Sequence, residues 1–360
     1  MTAPELAQRR ASVQHGPLAT LRSRPVVLGV LGLAVLAVAI VAGIALGTVT
    51  VAPADTLGIL THRLLGWPVA QTWPATSETI VMELRVPRVL TAMLVGLGLA
   101  VAGVTFQGLL RNPLADPYVL GTASGAALGA AIAVLIPMQF ALLGLGLVNV
   151  FAFIGAIVAV VLVHQIAGGG GRSTLTSLLL TGYAVGSLLA AGLALAMYLS
   201  GSQLRQIFFY LLGSLAGADW QSLVIGLPVI VVGSLLIMLR SRSLNGLLLG
   251  DETARHLGVD VRRERAILLG LASLVTAAAV ALAGLIGFVG LVVPHVVRLL
   301  VGPNARLVLP LSAIFGGAFL IVADLGARIP GELPVGIITA VIGAPVFVLL
   351  LRRYRTGYQL

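Results

Sequence analysis

Residues 82–129 read MELRVPRVLTAMLVGLGLAVAGVTFQGLLRNPLADPYVLGTASGAALG, and the order of features along them decides the fold class. Arg85 and Arg88 stand three apart, and 22 uncharged residues then pass before Arg111. That is the length an α-helix needs to cross ~30 Å of hydrocarbon, so residues 89–110 are predicted to span a membrane. Asn112-Pro113 and Asp116-Pro117 then break the helix twice, because proline lacks the N–H and pushes the preceding residue out of the α region. Tyr118 opens a second apolar run in which Gly121, Gly125 and Gly129 recur every four residues. This small-xxx-small spacing lets membrane helices approach backbone to backbone.

Working outward, the composition of the whole chain agrees. Of 360 residues, 59% are hydrophobic and 9% charged, and the mean hydropathy is +1.09. Several apolar runs exceed eighteen residues, which defines an all-α polytopic membrane protein. The absence of cysteine excludes disulfides and thiolate metal sites. All 22 basic residues are arginine, and their scatter over short loops fits topology signals better than a nucleic-acid surface. Without lysine the phosphate-binding pattern G-x-x-x-x-G-K-[ST] cannot occur, so the four glycines at 168–171 read as a plain loop. The chain therefore carries no energy source of its own.

Ten spans are expected, at 26–51, 89–110, from Tyr118 onward, 141–166, 175–199, 221–239, 266–288, 289–301 (interrupted by Pro294), 307–326 and 333–351. Residues 52–83 are half polar, with Asp55 as N-cap, and are expected to lie in the interface. Trp67, Trp73 and Trp220 flank spans, as rings anchoring at headgroup level do. Residues 203–219 are read as a short outer helix. Residues 241–265, SRSLNGLLLGDETARHLGVDVRRER, form the longest internal charged stretch. Asp251 is its expected N-cap, Ala254 and Leu257 share a face, and Gly258 supplies the stop. The organisation is thus a tail at 1–25, a membrane domain at 26–351 with a cytoplasmic segment at 241–262, and a tail at 352–360. Ten spans put both tails on one side together with 17 of the 22 arginines, and the positive-inside rule makes that side the cytoplasm.

LAVAG at 99–103 and VALAG at 280–284 are each followed by a proline ten residues after the glycine. One copy runs inward and the other outward, as in an inverted internal repeat of the kind common in transporters.

Four blocks, RVPRVLTAMLVGLGLAVAGVTFQGLLRNPLADPYVLGTASGAALGA, LGDETARHLGV, ALAGLIGFVGLVVPHVVRLLVG and ELPVGIITAVIGAPVFVLLLRR, occur in order. In them the chain resembles the iron-chelate and cobalamin permease family (FecCD type) of bacterial ABC importers from about residue 26 onward. The resemblance implies a type II importer permease of ten helices, paired with a second permease subunit as a homodimer or close heterodimer. It also implies two cytoplasmic ATP-binding subunits, which hold the ATP and magnesium, an extracytoplasmic substrate-binding protein, and residence in the cytoplasmic (inner) membrane. The substrate class it implies is a ferric siderophore, haem or cobalamin, with no cofactor in this chain. By the same comparison Arg85, Arg88 and Arg328 receive acidic residues of the binding protein, and Thr174, Thr176 and Ser177 stand at the cytoplasmic gate. Asp251, Glu252, Arg255, His256 and Leu257 belong to the segment that couples the ATPase.

The competing classes are an ion-coupled secondary transporter and an intramembrane enzyme. The first generally needs ionisable or unwound polar sites near the midplane, whereas the twelve acidic residues fall in loops or at span ends. The second lacks a constellation around His164, His256 or His295.

Overall fold

The computed structural model describes residues 25–67, 71–136, 141–142, 145–168, 175–329 and 331–357. In chain order its helices are α1 (Pro25–Ala45), α2 (Pro53–Leu65), α3 (Ala75–Leu109), α4 (Thr122–Leu135), α5 (Leu147–Gly168), α6 (Leu175–Leu199) and α7 (Leu204–Leu211). They continue with α8 (Trp220–Leu239), α9 (Ser241–Leu248), α10 (Asp251–His256), α11 (Val261–Ala283), α12 (Val289–Val301), α13 (Ala305–Arg328) and α14 (Val335–Gly357). A two-residue hairpin, β1 (Ala141–Leu142) with β2 (Leu145–Gly146), precedes α5. Among the described residues, seven helices are long and apolar enough to cross a membrane, and three shorter apolar ones, in α4, α12 and α14, accompany them.

The axis of the bundle is α3, which packs against α8, α11, α12 and α13. Its sequence explains why. Gly96 lies against the backbone of Gly316 in α13, where a Cβ would sit 2.3 Å from the carbonyl oxygen, and Gly103 lies against Gly290 of α12 at 1.9 Å. Two helices can come this close only where neither carries a side chain. A second layer, α4 on α5, uses the predicted four-residue spacing: Gly125 meets the carbonyl of Gly155, and Gly129 meets that of Phe151. In the turn between α3 and α4 the Asn112 and Asp116 carboxamide and carboxylate accept from the N–H groups of Leu114 and Tyr118 at 3.0 and 2.9 Å. These side chains satisfy backbone that the prolines leave unpaired.

The structure corrects several expected boundaries. α3 does not start at residue 89 but at Ala75, running through Arg85 and Arg88, because both guanidinium groups find partners inside the fold. Its first turns include a π-helical stretch, Ile80–Arg85, just before Pro87, whose missing N–H already disturbs the ladder. α4 begins at Thr122, after Gly121 at φ 76°, not at Tyr118. α11 lies five residues earlier than 266–288. Asp260 caps it by accepting from the Arg263 N–H at 3.0 Å, and Gly284 at φ 69° ends it. Asp55 is not an N-cap: Ala52 holds that place, Pro53 opens α2, and Asp55 sits in the first turn. Trp73 is buried against Gly58, not anchored outside. LAVAG ends six residues before the end of α3, while VALAG closes α11.

Pro294 does not interrupt α12 either. It deprives the Gly290 carbonyl of its helical donor, and the buried amide of Gln107 supplies the replacement, donating to Gly290 and Leu291 at 3.4 and 3.1 Å. Arg298 in turn donates to the Gln107 Oε1 at 3.0 Å. Gln107→Leu is accordingly expected to cost about 1–3 kcal/mol, the penalty for a buried carbonyl left without a donor. The check is a lower thermal midpoint in detergent with the helical content unchanged.

Candidate docking and coupling sites

The charged clusters lie toward the two ends of α3, at Arg85 and at Gly108, about 35 Å apart at 1.5 Å per residue. At the first end, α1 stops at Ala45 and leaves its last carbonyls without intrahelical donors. Arg85 turns inward to meet them, donating to Ile44 at 2.9 Å and Ala45 at 2.8 Å, and also to Val49. Arg328 donates to Gly43 at 3.1 Å. Cations at a helix C-terminus are stabilised by its dipole as well. Arg88 grips Asp324 of α13 in a fork, from Nε and Nη2 at 3.1 and 3.0 Å, and its Nη1 donates to Glu332 at 2.8 Å. Arg328 pairs with Asp324 from the other side at 3.0 Å.

All three of these arginines are engaged within the chain. Arg85 is 5% exposed and Arg328 3%, since each completes the hydrogen bonding of backbone carbonyls that hydrocarbon could not solvate. What remains open is a pocket of about 270 Å³, lined by Arg85, Arg88, Arg328 and Glu332.

At the other end of α3, α9 lies across Gly108, where Leu244 fills the space a side chain would take, and Leu244 and Leu247 are buried. Asn245 ties α9 to the start of α13, its amide donating to Asn304 at 2.9 Å and its carbonyl oxygen accepting from the Ala305 N–H at 2.7 Å. α10 follows after Gly250 at φ 114°. Asp251 is not its N-cap; Gly250 is. The Asp251 carboxylate instead accepts from Arg265 of α11 at 2.8 and 3.0 Å, and from Arg111 just beyond α3. Arg111 also donates from Nε to the Leu247 carbonyl at 2.9 Å. Partial burial alone would raise the Asp251 carboxyl, but Arg265 and Arg111 hold it below its ordinary value of 3.8. The folded value being depressed, the contact stabilises at neutral pH and is lost only as pH falls through that lowered value.

Ala254 is buried and Leu257 is not, which corrects the single apolar face expected for them. α10 is too short to hold both inside, and Leu257 falls in the turn after it, 63% exposed. Leu249 is 66% exposed beside it, and Glu252, Arg255 and His256 are exposed as well. The result is a small platform of mixed apolar and charged side chains, held from beneath by α3, α9 and α11. Gly258, at φ 78°, ends it as expected.

Comparison with known proteins gives the platform and pocket a context. Residues 35–353 match the model of the FecCD transport family. The chain belongs to that family. The cobalamin import system permease protein BtuC of Halobacterium salinarum is 48% identical over 280 residues, covering 78% of this chain and 75% of its own. The hemin transport system permease protein HmuU of Yersinia pestis is 42% identical, covering 76% and 83%. A solved inward-facing conformation of a metal-chelate type ABC transporter superposes with a TM-score of 0.78 at 30% identity, over 91% of this chain and 99% of that one. The FecCD chain is thus a multi-pass, all-helical permease of the type II ABC importer architecture, in a family of transport proteins and not enzymes.

For this FecCD permease the third expected site is only partly described. Thr174 lies outside the described residues, Thr176 is exposed, and the Ser177 hydroxyl donates to the Ala167 carbonyl at 3.4 Å, joining α6 to the end of α5. Sequence reasoning missed Asp324, Glu332 and Arg265. The one signal available was the i, i+4 spacing of Asp324 and Arg328, which puts them on one helix face.

Proposed function

We propose that this chain is the membrane permease of an importer that carries a metal chelate, a ferric siderophore, haem or cobalamin, across the cytoplasmic membrane. Separate ATPase subunits drive it, and an extracytoplasmic binding protein delivers the cargo. Two permeases pair, both termini face the cytoplasm, and ATP and magnesium stay with the partner subunits. The observation that carries the reading is the α9–α10 platform: exposed Leu249, Glu252, Arg255, His256 and Leu257 on and beside a short helix pinned by Asp251 to Arg111. A chain without a nucleotide site must take its mechanical input through such a surface, and this one is fixed directly to the end of the central helix. The arginine pocket at the opposite end suits acidic side chains of the binding protein, and the start of α6 is the gate. An ion-coupled carrier is the weaker reading. Its natural ion site would be Asp324, which lies in the last turns of α13 and is already engaged by two arginines.

The test is uptake into proteoliposomes by the assembled importer, with each of the three chelates offered in turn. Uptake that needs ATP and survives collapse of the ion gradients is expected; gradient-driven uptake by the permease alone would overturn the reading. Reversing both charges, Glu252→Arg with Arg255→Glu, should weaken ATPase association roughly tenfold, two rim pairs each contributing up to ~1 kcal/mol. Membrane insertion should be unchanged, because neither residue is buried; ATPase titration of purified permease measures both. Thr176→Cys in this cysteine-free chain should cross-link between subunits when the gate is closed, and absence of cross-linking in every nucleotide state would remove α6 from the gate.

A further inference from the structure

We propose that Glu332 is a placeholder for the incoming carboxylate: it occupies the outward donor of Arg88 in the free permease and is displaced when an acidic side chain of the binding protein enters the pocket. The inference rests on the docking reading of the arginine pocket.

The two carboxylates on Arg88 are not alike. Asp324 takes the Nε and Nη2 donors in a fork, is gripped again by Arg328, and its side chain is 1% exposed. It cannot leave without stranding two buried cations. Glu332 takes only Nη1, at 2.8 Å, and its side chain is 41% exposed. It stands outside the helices, in the turn between α13 and α14, and lines the pocket mouth beside Arg88. Its backbone is at φ 59°, following Gly331 at φ 122°. A glutamate adopts that left-handed conformation only where its surroundings hold it, here through the Leu333 N–H donating back to Ala327 at 2.9 Å. The turn thereby holds the Glu332 backbone beside Arg88 and leaves the side chain free to turn away.

Counted by charge, Arg85, Arg88 and Arg328 against Asp324 and Glu332 leave a single net positive charge in the pocket. Once Glu332 swings away, two remain for the partner, and Nη1 is the donor it can take without disturbing Asp324. The exchange is carboxylate for carboxylate, so it subtracts little from a correct partner's affinity. A neutral or basic surface gains nothing by displacing Glu332 and is rejected.

The experiment uses the assembled importer in nanodiscs and, as probe, the substrate-free binding protein that stimulates its ATP hydrolysis. Association rate and Kd are measured at low and high salt for the parent, Glu332→Gln, Arg88→Gln and the double variant. Glu332→Gln should bind roughly two- to fivefold tighter at low salt, as releasing one half-exposed ion pair implies. The gain should shrink as salt screens the pocket and vanish in the Arg88→Gln background. Binding that is unchanged or weaker in Glu332→Gln, while Arg88→Gln impairs docking, overturns the placeholder and leaves the docking site standing. If Arg88→Gln also docks like the parent, the docking reading itself is wrong.

Discussion

Alanine at Gly103 is expected to stop the chain from folding in the membrane. The added Cβ would lie 1.9 Å from the Gly290 carbonyl oxygen, 2.6 Å from its carbon and 2.7 Å from its Cα, so no side-chain rotation relieves the clash. α3 and α12 would have to separate. Doing so breaks the Gln107 hydrogen bonds to Gly290 and Leu291 and lifts Gly290 off Pro117. Overpacking of a flexible core costs about 1–3 kcal/mol, and a backbone-on-backbone clash should exceed the upper figure. The measurement is the yield of monodisperse protein extracted in mild detergent, with its melting curve. Gly270→Ala is the control, because nothing lies within 4 Å of a Cβ there; it should be neutral or slightly stabilising. Equal melting of the two variants would mean that α3 and α12 are not in backbone contact.

Asp324→Ala should be nearly as damaging for a different reason. It leaves Arg88 and Arg328, whose side chains are 11% and 4% exposed, without the carboxylate between them. Stranding buried charge in this way costs about 3–5 kcal/mol. Asp324→Asn should fall between alanine and the parent, since the amide oxygen still accepts. Glu332→Gln, which touches only the exposed side of the network, should shift stability by less than ~1 kcal/mol. Thermal unfolding of the four proteins side by side checks the order. If Asp324→Ala melts with the parent, the network contributes specificity but not stability, Arg328 being held by the Gly43 carbonyl and Arg88 by Glu332.

These two results separate kinds of information that the chain holds differently. Where a helix is long and apolar, its existence needs no partner: the span expected at residues 175–199 is α6 to the residue. The glycine spacing of α4 was equally legible, because a four-residue repeat lines one helix face whatever lies opposite. Ends were legible where one residue enforces them, as Gly258 does after α10 and Asn112-Pro113 after α3. They were misplaced where charge looked like a boundary. Arg85 and Arg88 sit well inside α3, because the groups that neutralise them come from elsewhere in the chain.

The same division runs through the candidate sites. The sequence by itself determined that this is a bundle of apolar helices without a nucleotide-binding motif, and that its longest internal charged stretch lies around residues 241–262. It also marked Arg85, Arg88 and Arg328 as the charges worth following. Only the tertiary structure decided what those charges do. Asp324 lies 236 residues from Arg88, and Asp251 is 140 from Arg111 and 14 from Arg265. No local periodicity encodes such pairs. They are selected because a guanidinium drawn out of water must find an anion or a carbonyl within hydrogen-bond reach, and which one it finds depends on how α1, α3, α11 and α13 pack.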